Sequence, residues 1–244
     1  MSTNIYNVPL RVVGMSGTLD SELPSGDYRI TPSEMRRNEY GISIGDVLSG
    51  DFESLAEADD PFHKYDVVRP NGTSVLDIFE THEWVDYDWL PFSVPQNVYA
   101  LVRAEGDPCL VVEADHGWYP SYTIRDPHSE EPTGTVAKRI FENWRLEDPG
   151  GEVEATAETV NTWRNLFSFS THGTYDVSGR DGEEIARFER VRADGDFNDQ
   201  LLSAMDISCS RSRVATEQCL AFAFALLHRA MTKSGGGSGS GAGD

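Results

Sequence analysis

The sequence predicts a mainly β protein in which antiparallel hairpins follow one another and close into a barrel or stack as a sandwich, with one apolar helix at the C-terminal end. Three observations predict it. A hairpin unit recurs five times from residue 61 onward, glycine stands in most of its turns, and residues 219–227 (CLAFAFALL) carry no charge. A barrel is the better solution, because about ten strands left in an open sheet would present edges that closure removes.

The first 60 residues are less patterned than the rest. Short candidate strands at 10–13, 28–30 and 40–44 lie among Gly, Ser, Pro and acidic residues, and 52–60 is an acidic loop or short helix. This stretch is expected to form part of the barrel or to pack on it. The recurring unit then begins with an aromatic-x-aliphatic strand start and passes through a polar turn into a second apolar strand. Its copies open at Tyr65-x-Val67, Tyr99-x-Leu101, Tyr122-x-Ile124, Trp144-x-Leu146 and Tyr175-x-Val177. The turns contain Asn71-Gly72, Glu105-Gly106, Gly134, Gly150-Gly151 and Asp181-Gly182, residues that tolerate the positive φ of tight hairpin turns. The units begin 22 to 34 residues apart, too irregular for a solenoid and too short for propeller blades of about 40 residues.

Residues 208–231 lack Gly and Pro and predict the helix, starting near Arg213. A helix apolar on every face belongs inside a protein or a membrane. Arg213, Glu217, Gln218, His228 and Arg229 leave nine uninterrupted apolar positions, short of the roughly 18 needed to span a bilayer, so a buried core helix is predicted and no transmembrane helix. The domain then covers residues 61–233. Residues 234–244 (SGGGSGSGAGD) form a Gly/Ser tail that cannot bury anything.

Composition narrows the function. The formal charge is −21, from 20 cationic and 41 acidic side chains, which argues against a nucleic-acid partner. All the cations are Arg except Lys64, Lys138 and Lys233, and this pattern of many carboxylates with few lysines is that of a halophilic, salt-adapted protein. Near 1 M salt the Debye length is about 3 Å, so self-repulsion is damped. Cys109, Cys209 and Cys219 lack metal-ligand spacing and predict neither a zinc site nor a disulfide scaffold; they read as small buried hydrophobes. His116, His128 and His172 fall in turn signals, and His228 reads as a helix C-terminal residue favoured by the dipole. No nucleophile elbow, zincin, P-loop or dinucleotide motif is present. The expectation is therefore no enzyme, no catalytic residue, no metal and no cofactor. No basic n-region with an apolar run opens the chain, and a cytoplasmic location is expected.

The series of hairpins with its terminal helix resembles the tubby C-terminal-like superfamily, specifically its LURP-one-related and phospholipid scramblase members. The likeness is carried by YDVVRPNGTSVLDIFE (65–80), YTIRDPHSEEPTGTVAKR (122–139), WRLEDPGGEVEATAE (144–158), YDVSGRDGEEIARFER (175–190) and CLAFAFALLHRAM (219–231). It covers about residues 61–232 and implies a tubby-like antiparallel barrel of about twelve strands around the helix. The Cys-rich and Pro-rich segments of scramblases have no counterpart, so the likeness is nearer to the LURP-one-related group. It implies a non-enzymatic, lipid-associated protein, and the tubby-type use of basic barrel residues points to Lys138 and Arg139.

Two basic groups stand out against the acidic background: Lys138 with Arg139, and Arg187, Arg190 and Arg192, with Arg211 and Arg213 before the helix. Brought together, they would bind phosphate through bidentate contacts. Such a site would serve an anionic phospholipid partner and make the protein peripheral to a membrane. The competing expectation is that these cations pair with nearby Asp and Glu. The chain would then be a soluble scaffold or regulatory module that binds another protein through its acidic surface and the loops of Trp84, Trp89 and Trp118.

Overall fold

The structure, a computed structural model, describes residues 23–35, 42–43, 63–85, 94–115, 120–129, 131–138, 143–160, 173–192, 203–210 and 212–235. Thirteen strands are described: β1 Gly26–Met35, β2 Ile42–Ser43, β3 His63–Val68, β4 Ser74–Val85, β5 Val94–Arg103, β6 Pro108–Asp115, β7 Ser121–Arg125, β8 Pro132–Lys138, β9 Trp144–Glu147, β10 Val153–Val160, β11 Gly173–Gly179, β12 Glu184–Arg192 and β13 Ser203–Cys209. All but β2 are staves of a closed, twelve-stranded antiparallel barrel. Each stave pairs with the next in sequence except at β1, which sits between β13 and β3 and so joins the two ends of the sheet. The two-residue β2 pairs parallel with β4 beyond the reach of β3. The one helix among the described residues, α1 (Thr216–Gly235), follows β13.

The five hairpins are those the sequence predicts, but Gly134, expected in the third turn, lies within β8 opposite Ile124. Gly72 and Gly182 have φ of 82° and 77°, positions where a side chain would strain the backbone. The third turn relies on a carboxylate instead: Asp126 accepts hydrogen bonds from the backbone N–H of His128 and Ser129, both 2.8 Å, and these hold its carboxyl below the usual range. Two elements differ from the sequence prediction. The helix begins at Thr216, not near Arg213, because residues 203–209 form β13, paired with both β12 and β1. The strand expected at 28–30 extends over Gly26–Met35, and only Ile42–Ser43 of the strand expected at 40–44 is described. The strand expected at 10–13, the acidic segment 52–60 and the tail from 236 lie outside the described residues.

The helix threads the barrel. Residues 219–227 are each 4% exposed or less, so every face is covered. Its rings meet staves from well-separated parts of the wall: Phe222 stands edge-on to Phe188 of β12 at 5.8 Å, and Phe224 to Tyr65 of β3 at 5.3 Å and Tyr99 of β5 at 4.9 Å. Only a helix inside the lumen reaches these staves at once. Its entry is fixed by Glu217, which accepts from the Leu23 backbone N–H at 3.0 Å and from Arg103 at 3.1 Å. With the lumen filled by this helix and by inward side chains, a ligand has the mouths and the outer wall to bind.

The outward face of β4–β6 is apolar, with Phe79, Val98, Ala100, Val102 and Val111 buried, and elsewhere the outer wall carries charged pairs. Arg29 pairs with Asp206, Arg125 with Glu113 and Lys64 with Asp66 and Asp77. These charges interrupt the continuous apolar band that a membrane-spanning barrel presents. Among the described residues no helix is long and apolar enough to cross a membrane.

Candidate functional site

The aromatic residues that open the hairpins form one collar. Tyr65 is level with Ile78 and Leu101, two residues past Tyr99; Tyr99 is level with Val112 and Ile124, two past Tyr122. The same step takes Tyr122 to Trp144 and Trp144 to Tyr175. It continues from Tyr175 through Phe188 and Ile207 to Met205, and from Met205 through Ile30 and Val67 back to Tyr65. A closed barrel needs strands tilted by roughly 35–45°, and a two-residue offset per pair of staves compensates that tilt. Tyr65, Tyr99, Tyr122, Trp144, Tyr175 and Met205 therefore encircle the axis at one height, and the aliphatic member of each pair lies one layer deeper.

His228 stands in this collar. Its Nε2 is 2.7 Å from the Tyr99 hydroxyl and its Nδ1 3.0 Å from the Tyr122 hydroxyl, while its ring stacks on Phe224. The Tyr99 hydroxyl also donates to Glu80 at 3.4 Å. The helix-terminal role expected of His228 is thus corrected: α1 continues to Gly235, and the imidazole is held by two wall tyrosines. Burial pushes the hydroxyls of Tyr65 and Tyr99 well up and that of Tyr122 to about 12, so all three remain protonated donors at neutral pH.

The residues beside the collar on the returning staves point inward too. Among them, Lys138 is level with Trp144, Arg190 with Met205 and Glu80 with Tyr99. Lys138 shares the inward face of β8 with fully buried Val136, and its ammonium lies 5.9 Å from the Trp144 ring centroid, a cation–π contact. Arg190 shares the inward face of β12 with Phe188. Burial draws its guanidinium down, the facing Tyr175 hydroxyl draws it partly back up, and its Nε has no hydrogen-bond partner. On the helix, Arg229 faces the Tyr122 hydroxyl.

The predicted site residues thus divide. Lys138 and Arg190, far apart in sequence, reach the same mouth from staves a third of the circumference apart. Arg187 faces outward on the exposed wall, 3.6 Å from Asp176, the pairing that the competing expectation describes. Arg192 is exposed at the end of β12. Arg139 and Arg211 lie outside the described residues, as do His116, His172, Trp89 and Trp118. His128 is exposed in the third turn, and Trp84 belongs to β4. Sequence reasoning missed Arg229, Glu80 and the engagement of His228. The signal for Lys138 and Arg190 was strand parity, since each stands two residues from an inward apolar side chain.

Among the described residues no group of three His, Cys, Asp or Glu side chains converges as a metal site. No family model, curated protein or solved structure matches the chain.

Proposed function

We propose that the protein is a non-enzymatic binding module that takes the phosphate of an anionic lipid headgroup at the collar mouth, with Lys138 and Arg190 as its principal contacts. The observation that carries this is their placement: in a chain of net charge −21, two cations from staves a third of the circumference apart are turned inward at one mouth, and Arg190 has a buried Nε without a hydrogen-bond partner. Hydroxyls of Tyr122 and Tyr175 stand beside them as further donors. The resemblance to LURP-one-related and scramblase proteins supports a lipid as the source of the phosphate. A salt-adapted setting adds a physical reason for an inward site, since exposed cation–phosphate attraction fades at molar salt while partly enclosed contacts are screened less. On this account the protein is cytoplasmic and peripheral to the membrane.

Co-sedimentation with vesicles of anionic and of neutral phospholipid, in molar KCl, tests it. The unaltered protein should pellet with anionic vesicles only, Lys138→Ala/Arg190→Ala should stay in the supernatant, and Arg187→Ala on the outer wall should behave as the unaltered protein. Absence of binding to either vesicle, or equal binding by the double variant, would contradict the proposal and turn attention to a protein partner.

A further inference from the structure

The proposed phosphate contacts leave His228 unused, although the wall engages it at both ring nitrogens. Its Nε2 lies 2.7 Å from the Tyr99 hydroxyl and its Nδ1 3.0 Å from the Tyr122 hydroxyl, and the Tyr99 hydroxyl reaches Glu80 at 3.4 Å. A neutral imidazole has one N–H to give and one lone pair to accept with, a phenol has one proton, and a carboxylate only accepts. With the Tyr99 proton directed to Glu80, Nε2 is the donor to Tyr99, and Nδ1 is left to accept the proton of Tyr122. The four groups then form one directed chain, running from Tyr122 through His228 and Tyr99 to Glu80.

We infer that His228 is a proton-controlled positioning residue, holding the Tyr122 hydroxyl proton when neutral and freeing it for a phosphate at the collar mouth when protonated. This rests on the headgroup reading above and adds its regulation. Protonation makes both ring nitrogens donors. Tyr122 then accepts from Nδ1–H, and its own O–H rotates toward another acceptor. Its place suits that role: the Tyr122 ring lies 5.8 Å from the His228 ring and 6.5 Å from that of Trp144, which the Lys138 ammonium overlies. Tyr122 therefore stands between the imidazole and the nearer of the two phosphate contacts. A single proton taken from solvent supplies both a new donor and a new positive charge for the same anion.

The groups around His228 carry mixed charge. From the wall, Tyr99 on β5 and Tyr122 on β7 bond the ring, and Glu80 on β4 stands behind Tyr99. Tyr65 on β3 meets Phe224, on which the imidazole stacks. Arg229 follows on α1, while Lys138 on β8, Tyr175 on β11 and Arg190 on β12 share the mouth. An anion bound here offsets the cations and favours the imidazolium, and by reciprocity the imidazolium favours the anion. Imidazole is the side chain whose ordinary proton uptake falls between about pH 5 and 8, a range in which the collar phenols stay protonated.

Nitrogen NMR of the full chain tests this, with the His228 signals assigned through their contacts with the Phe224 and Tyr99 rings. Sulfate is the probe, because it matches phosphate in shape and keeps its charge across the titration. The expected result at about pH 8 is the Nε2–H tautomer, with protonation on acidification at a midpoint that sulfate raises. At constant ionic strength, sulfate should bind about tenfold more tightly at the acidic end than at the alkaline end. His228→Gln, whose amide donates and accepts but does not titrate, should bind sulfate without that pH dependence. Tyr122→Phe, which removes the donor and leaves the charge, should keep only part of it. An Nδ1–H tautomer, an affinity flat with pH, or a pH dependence undiminished in both variants would overturn the role of His228 and leave the headgroup site standing. Absence of sulfate binding at every pH, with His228 titrating from the Nε2–H form, would overturn the anion site and its regulation together.

Discussion

The helix enters the barrel at one mouth and leaves at the other, and the two mouths are built from different chemistry. At the entry end, tight hairpin turns join the staves and the Glu217–Arg103 pair fixes the first helical turn. At the exit end the collar surrounds His228, Lys138 and Arg190 turn inward, and the staves are joined by the longer segments that lie outside the described residues. At the entry end Glu217 Oε1 serves both Arg103 and the Leu23 backbone, while its Oε2 has no hydrogen-bond partner. At the exit end the Nε of Arg190 has no hydrogen-bond partner, and binding sites are commonly carried by the longer connections of a rigid scaffold.

The largest effect on this comparison is expected from the helix segment both ends share. Phe222→Asp removes a ring packed on Phe188 and leaves an unpaired carboxylate in the core, which together exceed the stability of a marginally stable domain. Circular dichroism should show an unfolded chain, and a folded, soluble variant would contradict the threaded barrel. Phe224→Ala, which empties the space between Tyr65 and Tyr99, should cost about 3–5 kcal/mol in denaturant unfolding and loosen the exit end first. At the entry end, Glu217→Gln leaves Arg103 facing a neutral partner. The loss should be about 2–3 kcal/mol, less than for a fully buried pair because the Arg103 side chain is 22% exposed.

The tyrosines of the exit end also predict a pH dependence. Tyr65, Tyr99 and Tyr122 ionise at higher pH in the folded protein than in the unfolded chain, where phenols titrate near pH ~10. Their stabilising contribution is complete below that pH and is lost as pH rises from there toward about 12, the folded value of Tyr122. Alkaline unfolding followed by phenolate absorbance should show these three ionising together with loss of structure. Tyr122→Phe should make the decline shallower. The smallest effect belongs to the outer wall, where Arg187→Ala should change stability by no more than about 0.5 kcal/mol.

The architecture was legible because its signals are local. Each turn glycine and each Tyr-x-aliphatic start reports a hairpin without knowledge of its neighbours, and the apolar run at 219–227 reports a helix covered on all sides. β13 escaped because SAMDISC sits beside a stretch of good helix formers, and only pairing with β1 and β12 makes it a strand. The site was half legible. Two of its cations were named from sequence, but Arg187 and Arg190 look alike until the register places one outside against Asp176 and the other inside beside Tyr175. The shared mouth of Lys138 and Arg190 follows from the registers of four successive pairings, β8 to β12, which no single hairpin announces.

The measurement that separates the two ends most directly uses the chain's own tryptophans. Trp144 opens β9 at the collar, and Trp84 lies near the exit end of β4. Anionic vesicles with brominated acyl chains quench tryptophans that dock against the bilayer. Docking by the exit mouth predicts strong quenching that disappears in Lys138→Ala/Arg190→Ala and persists in Arg213→Ala at the entry mouth. Vesicle binding without quenching, or quenching abolished by the Arg213 variant instead, would contradict the assignment of the binding end.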